Sequence, residues 1–546
     1  MNAGYVPPAD ARTAASLLLL RDGEAGLEVL MLRRAEREGD LRSGVAVFPG
    51  GVLDARDRQA HAHCLGPSDA EVSLRLGLPE GGLDYLVAAV RETFEEVGLL
   101  LAEGDFELEA LRPWRERFQA GQGGVDDFCR EQGLKLDLRG LAYFSHWLTP
   151  PGMPKRFDTR FFAALAPAGQ AAQADFGEAQ ELMWLTPQAA LEARSGLKLL
   201  PVTRRTLQEL GRSATAAEAM VAAHQRTGIG LTMPRVGATG KGTRVVVLPD
   251  ELPYAEIARL DPMGRGDVSC ELRPGCAVRL SPHVIRVTAP NPGPMTGPGT
   301  NTYLVGQGPS WAVIDPGPVS EPHLQALRAA APGRIELILV THTHRDHSPG
   351  AAALALATGA PAWGRSAVHP EWHDTAFTPQ RELQHGERIA LAPGVTLRVL
   401  HTPGHAANHL CYLLEEEKTL FTGDHVMQGS TVVINPPDGD MAAYLAALEA
   451  LLAEDLEWFA PGHGFLVARP HEVLRGLIAH RMKREAKVAA ALRTAGPLQL
   501  DDLLPLVYDD VPVARHAVAR RSLLAHLLKL QAEGAAALDD EAWSAR

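Results

Sequence analysis

Thr341-His342-Thr343-His344-Arg345-Asp346-His347 closes the apolar run Leu337-Ile338-Leu339-Val340, so a buried strand delivers three histidines and an aspartate at its C-terminal end. In an extended turn His342 and His344 point one way, and Asp346 and His347 another. Further along come His405 in Thr402-Pro403-Gly404-His405, Asp424 in Phe421-Thr422-Gly423-Asp424, and His463 in Pro461-Gly462-His463-Gly464. Each follows an apolar run or stands beside glycine, where a side chain reaches a cleft without steric conflict. A lone histidine in such a place is usually packed or hydrogen-bonded. Five imidazoles and two carboxylates in like surroundings point instead to bound metal, Zn²⁺ first, with Fe or Mn as alternatives. Cys411, inside the run Leu410–Leu414, reads as core and not as a nucleophile.

Outward from this stretch, Tyr303-Leu304-Val305 and Trp311–Ile314 are further strands, each ending in a turn or polar cluster, as αβ units do. Residues 213–276 differ in texture: Gly and Pro recur so densely that an extended linker is expected, with one strand over 244–248. After about 478 helices are expected over 480–492, 501–507 and 517–533. Ahead of the linker, Ala14–Leu20 reads as a buried strand. Leu83, Leu86, Val87, Val90, Phe94 and Val97 recur at i, i+3, i+4, which predicts a helix over 83–97 closed by Gly98. On it Glu92 and Glu96 share a face, with Glu95 beside them. Three carboxylates this close repel unless a cation sits among them, and hard oxygen ligands suit Mg²⁺ or Mn²⁺.

The first of these patterns resembles the Nudix box, from Gly51 to Arg91-Glu92-Thr93-Phe94-Glu95-Glu96-Val97-Gly98-Leu99, with Thr93 at a usually aliphatic position. Asp57 stands where the box has its first glutamate, and 33 residues separate it from Arg91 instead of seven, an insertion at about 58–84. The enlarged box, with Phe144–Pro150 and Arg156–Phe162, is similar to the coenzyme A-diphosphatase-like branch over residues 10–212. Gly44 matches that branch, while Asp40 replaces an expected arginine. The resemblance implies an α/β/α sandwich in which Glu92, Glu95 and Glu96 hold metal and Glu95 and Glu96 serve the catalysis, with Glu178 or Glu181 as a further base. Its substrate would be a small molecule containing a diphosphate. H-x-H-x-D-H followed by His, Asp and His resembles the metallo-β-lactamase fold, an αββα sandwich, over residues 277–478. By that likeness His342, His344 and His405 bind one metal and Asp346, His347 and His463 the other. Asp424 bridges, and Asp346 and Asp424 serve the catalysis as well. Two such cations about 4 Å apart acidify water and neutralise charge growing on the scissile group, so no serine or cysteine nucleophile is needed. Asn291–Leu304, Ile314-Asp315-Pro316-Gly317 and Pro470–His480 look like the β-lactamase-like protein 2 group, which includes endoribonucleases acting on single-stranded RNA and whose members carry a small helical winged-helix-like tail, here 479–546.

Composition narrows the rest. A net charge of −13 excludes nucleic-acid binding through bulk charge. Five scattered cysteines form no C-x-x-C pair, which fits a reducing cytoplasm. No run nears the ~18 apolar residues of a membrane span. In the tail, Arg481, Lys483, Arg484, Lys487, Arg515, Arg520, Arg521 and Lys529 could touch phosphates. Alternatively Leu523, Leu524, Leu527 and Leu528 face inward and make the tail a lid on the metal domain. Three functions follow: a bifunctional hydrolase of a nucleoside-diphosphate-linked compound and of RNA; the same pair with a thioester or lactone at the second site; or a metallohydrolase joined to a non-catalytic Nudix sensing module.

Overall fold

Ala14–Leu20 is too apolar for a surface position, and all seven residues are buried within the strand Ala11–Gly23. This strand centres a nine-stranded sheet, parallel to Arg156–Leu165 and antiparallel to Gly26–Arg34 and Gly50–Val52. The protein is seen here in a computed structural model, which describes residues 5–34, 44–173, 179–370 and 373–546. Its contacts divide it into two units, Met1–Val236 with Met263–Arg265, and Gly237–Pro262 with Gly266–Arg546. In the first, the helix Gly82–Val97 lays its periodic apolar residues on Ala15, Leu17 and Leu19 of the central strand. Gly98 ends the helix in the left-handed conformation (φ 69°), its N–H donating to the Phe94 carbonyl, a cap that favours glycine. The inserted stretch folds as the 3-10 turn Asp57–His63 and the helix Asp69–Leu76, started by a Ser68/Glu71 capping box.

Residues 213–276 hold more structure than an extended linker. The helix Ala216–His224 and the strand Leu231–Thr232 fall within the first unit, and the latter extends its sheet. The strand Arg244–Val247 pairs with Arg235–Ala238, and Pro253 opens a further helix, Tyr254–Leu260. The density of Gly and Pro prevents long elements and leaves room for these short ones.

The second unit stacks a seven-stranded sheet on a six-stranded one. Its central strands, such as Leu410–Leu414 and Thr419–Gly423, are buried along their whole length because both faces are covered. Tyr303, Val305, Ala312, Ile314, Leu337 and Leu339 meet Leu397, Val399, Leu410, Tyr412 and Leu414 between the sheets. The alternate residues Leu304, Val313, Ile338 and Val340 turn outward under the helices Glu321–Ala330 and Gly350–Thr358. Cys411 and Leu413 do the same under Met441–Leu451. This αββα layering is the expected one, and Cys411 is core. The helix expected over 480–492 is longer, Pro470–Ala495, and is followed by Leu500–Val507, His516–Ala532 and a three-stranded sheet.

The tail's leucines do not cover the metal domain. Leu523 and Leu527 are buried in a core of the tail's own with Val488, Leu503, Val507 and Trp543, and Leu528 is exposed. It is Ala525, between them, that enters the core beneath Met441–Leu451. Among the described residues no helix is long and apolar enough to cross a membrane.

Candidate metal centre

Four strands of the second unit, Arg334–Leu339, Val395–His401, Thr419–Gly423 and Trp458–Pro461, are each followed closely by one part of the candidate ligand set. The seven residues converge. His344 Nδ1 lies 3.0 Å from His342 Nε2 and 3.1 Å from His405 Nε2. Asp346 Oδ2 lies 3.3 Å from Nε2 of both His347 and His463. Asp424 stands between these groups. Its Oδ1 is 3.4 Å from His347 Nε2 and 3.3 Å from His463 Nε2, while its Oδ2 is 3.7 Å from His405 Nε2. The buried His347 Nε2 and Asp424 Oδ1 have no hydrogen-bond partner. Lone pairs converging without donors are what bound cations satisfy, so the donor set fits divalent metal.

The outward ring nitrogens are tied down. His347 Nδ1 faces Asp315 Oδ2 at 2.8 Å, His405 Nδ1 the Val433 carbonyl at 2.8 Å, and His463 Nδ1 the Gly299 carbonyl at 3.2 Å. Such acceptors favour the proton on the outer nitrogen and would leave the inner lone pair for a bound metal. Asp315 takes a positive φ of 52° and also accepts from the Thr341 N–H and hydroxyl, each at 2.7 Å. Thr300 donates to Asp346 at 3.1 Å.

The charges divide the rings in two. Burial, reinforced by His347 and His344, holds His342 well below the usual histidine range, and burial with His405 takes His344 down to about 3. Burial also opposes charge on His463, but Asp424 and Asp346 outweigh it and push it up to about 10. Asp424 stays well below the usual carboxylate range against its burial, held by His463 and His347.

Sequence spacing did not reveal Asp315's grip on His347, nor the pair His373 and Asp438. Asp438 Oδ2 lies 2.9 Å from His373 Nε2 and 3.9 Å from His344 Nε2, behind the ligands. Asp315 was visible in Ile314-Asp315-Pro316-Gly317; nothing local marks Asp438. Asp315→Asn keeps the shape and tolerates the left-handed backbone but presents His347 with an amide. Metal affinity is expected to fall about 10- to 100-fold, the range for lost outer partners, measurable by zinc titration of the chelated protein.

In the first unit Arg91 replaces the box spacing with a contact. Its Nε and Nη2 reach Asp57 Oδ1 and Oδ2 at 2.8 and 3.1 Å, and its Nη1 reaches Glu92 Oε1 at 2.6 Å. Burial pushes the Asp57 carboxyl up, and Arg91 opposes it. Asp57 thus meets Arg91 across the insertion. Gly51 leaves room for the Glu92 carboxylate: a Cβ there would lie 2.4 Å from its carboxylate carbon, so that side chain would have to move. Glu96 accepts the Gly50 N–H at 2.9 Å, and Glu95 Oε2 lies 3.8 Å from Arg91 Nη1.

Among the described residues, the groups of three ligand atoms gathered within 4.8 Å all lie in the second unit, and Glu92, Glu95 and Glu96 form none. Mg²⁺ keeps several waters and shares substrate phosphates, so a looser half-buried carboxylate face is compatible with it. Glu181, on Ala179–Leu185, lies 3.9 Å from Arg33; Asp40 and Glu178 lie outside the described residues.

The chain matches three family models: the NUDT19 Nudix domain over residues 68–200, the metallo-beta-lactamase superfamily over 295–463, and the beta-lactamase associated winged helix domain over 500–543. It is 34% identical over 245 residues to an atrochrysone carboxyl ACP thioesterase of Aspergillus chevalieri, covering 43% of this chain and 76% of that one. A beta-lactamase-like protein 2 homolog of Drosophila melanogaster is 31% identical over 281 residues, 47% of this chain and 90% of that one. A NUDIX hydrolase from Alicyclobacillus acidocaldarius is 27% identical, covering 41% of this chain and 100% of that one with a TM-score of 0.35.

Proposed function

The chain belongs to the metallo-β-lactamase superfamily, with a Nudix domain ahead of that domain and a winged helix behind it, and from this we propose a hydrolase with two separate centres. The first, with Glu92, Glu95 and Glu96 as metal ligands, cleaves the diphosphate of a nucleoside-diphosphate-linked small molecule, coenzyme A being the candidate. The second, with His342, His344, Asp346, His347, His405, Asp424 and His463 as ligands, hydrolyses an acyl thioester. Water adds to the carbonyl carbon, the C–S bond breaks, and thiol and carboxylate leave. Two divalent cations supply the acidified water and the charge stabilisation. Arg345, exposed between His344 and Asp346, is placed to pair with an anionic group of the substrate.

The observation that carries the thioester reading, over a phosphodiester in RNA, is how the tail uses its cations. Five of the eight tail cations are used within the protein: Arg481 is buried, while Arg484, Lys487, Arg520 and Lys529 are paired with Asp510, Asp509, Asp501 and Glu485 of the tail itself, which leaves Lys483, Arg515 and Arg521. Cations already neutralised in this way are poorly placed to release counterions from a phosphate backbone. The thioesterase name of the Aspergillus relative supports the same choice.

The test is a panel of acyl-coenzyme A, coenzyme A, ADP-ribose, NADH and single-stranded RNA, with Zn²⁺ and Mg²⁺ supplied. Thiol release from the acyl compound and diphosphate cleavage are expected, each lost when its own site is mutated. RNA cleavage that disappears in Asp424→Ala, without thioester turnover, would replace the thioester by a phosphodiester.

A further inference from the structure

Arg481, on the tail's first helix Pro470–Ala495, is 4% exposed, which is costly for a guanidinium unless its charge is used. Its Nη2 donates to the Val432 carbonyl, and the guanidinium carbon lies 5.4 Å from the Tyr444 ring centre. Both contacts lead to the metal centre. The carbonyl of Val433, the next residue, faces His405 Nδ1 at 2.8 Å. The Tyr444 hydroxyl donates to the carbonyl of His425 at 3.1 Å, and His425 follows Asp424. Val432 and Tyr444 are themselves buried, packed with Val426, Met441 and Leu448 and with Ala525 of the tail.

We infer that Arg481 is a positioning residue through which the tail sets the metal ligands His405 and Asp424. The inference rests on the ligand set proposed above. The charge-assisted bond to Val432 fixes the backbone whose next carbonyl orients the His405 ring. The cation against Tyr444 holds the ring whose hydroxyl anchors the segment after Asp424. The tail is in this way part of the metal site's support, and metal retention depends on a side chain that touches no metal.

Zinc release to a chelator, zinc content and thermal melting with and without zinc test this in the full chain. In Arg481→Met, zinc release is expected to quicken about 10-fold or more at one position, the lower end of the range for lost outer partners. The gain in melting temperature conferred by zinc should shrink, while the zinc-free protein melts nearly as wild type. Arg481→Lys, which retains a cationic donor, should restore slow release. A merely structural arginine would instead lower both melting temperatures equally. Tyr444→Phe keeps the ring and removes only the bond to His425, so a smaller acceleration is expected; if Arg481→Met is recovered unfolded, unchanged release from Tyr444→Phe overturns the inference. His405→Ala separates the two levels. Loss of one zinc from it, with wild-type release from Arg481→Met, refutes the role of Arg481 alone. Full zinc content in His405→Ala refutes the ligand set.

Discussion

Asp424→Ala is expected to lower the metal content of the second unit from two ions towards one or none and to abolish its hydrolysis. The carboxylate is the only one of the seven whose two oxygens face different groups, Oδ1 towards His347 and His463 and Oδ2 towards His405. At about 4 Å and an effective dielectric of about 20, like charges repel by about 4 kcal/mol for each unit-charge pair, and two dications multiply that figure. An anion between them offsets the repulsion; alanine offers none. His342, His344 and His405 are neutral donors when they ligate, so they cannot replace it. The diphosphate activity of the first unit should persist. Elemental analysis beside both activities decides the matter, and two retained metals with normal turnover would show that the ligand set is wrong.

Glu96→Gln should have the opposite specificity. The side chain accepts the Gly50 N–H at 2.9 Å, and a glutamine oxygen can keep that bond, so the helix and its turn are expected to fold as before. What disappears is a negative charge from the carboxylate face, and with it, on the proposed assignment, the capacity to hold Mg²⁺ against substrate phosphates. A loss of diphosphate cleavage on the order of 10²–10³-fold is expected, the scale for removing one charge-stabilising group. Glu95→Gln should behave alike, with hydrolysis by the second unit unchanged in both. Mg²⁺-dependent cleavage that survives both substitutions would remove this helix from the metal site.

The features legible in the amino-acid order are those whose cause is local. A run such as Leu337–Val340 specifies a strand buried on both faces, and His342, His344, Asp346 and His347 are placed by being its next residues. The spacing of Leu83, Leu86, Val90, Phe94 and Val97 specifies a helix with Glu92 and Glu96 on one side. The helical period likewise shows that Leu523 and Leu527 share an apolar face, but it carries no information about what that face meets. Only the tertiary structure assigns it to the tail's own core and sends Ala525 to the metal domain. Asp57 and Arg91 meet across an inserted helix, Asp315 reaches His347, and Arg481 reaches Val432, 49 residues away. These contacts depend on where distant segments are brought by burial and sheet pairing. A single acidic or basic residue has no periodicity that would announce its partner, so the candidate ligands were determined locally and their support only by the fold.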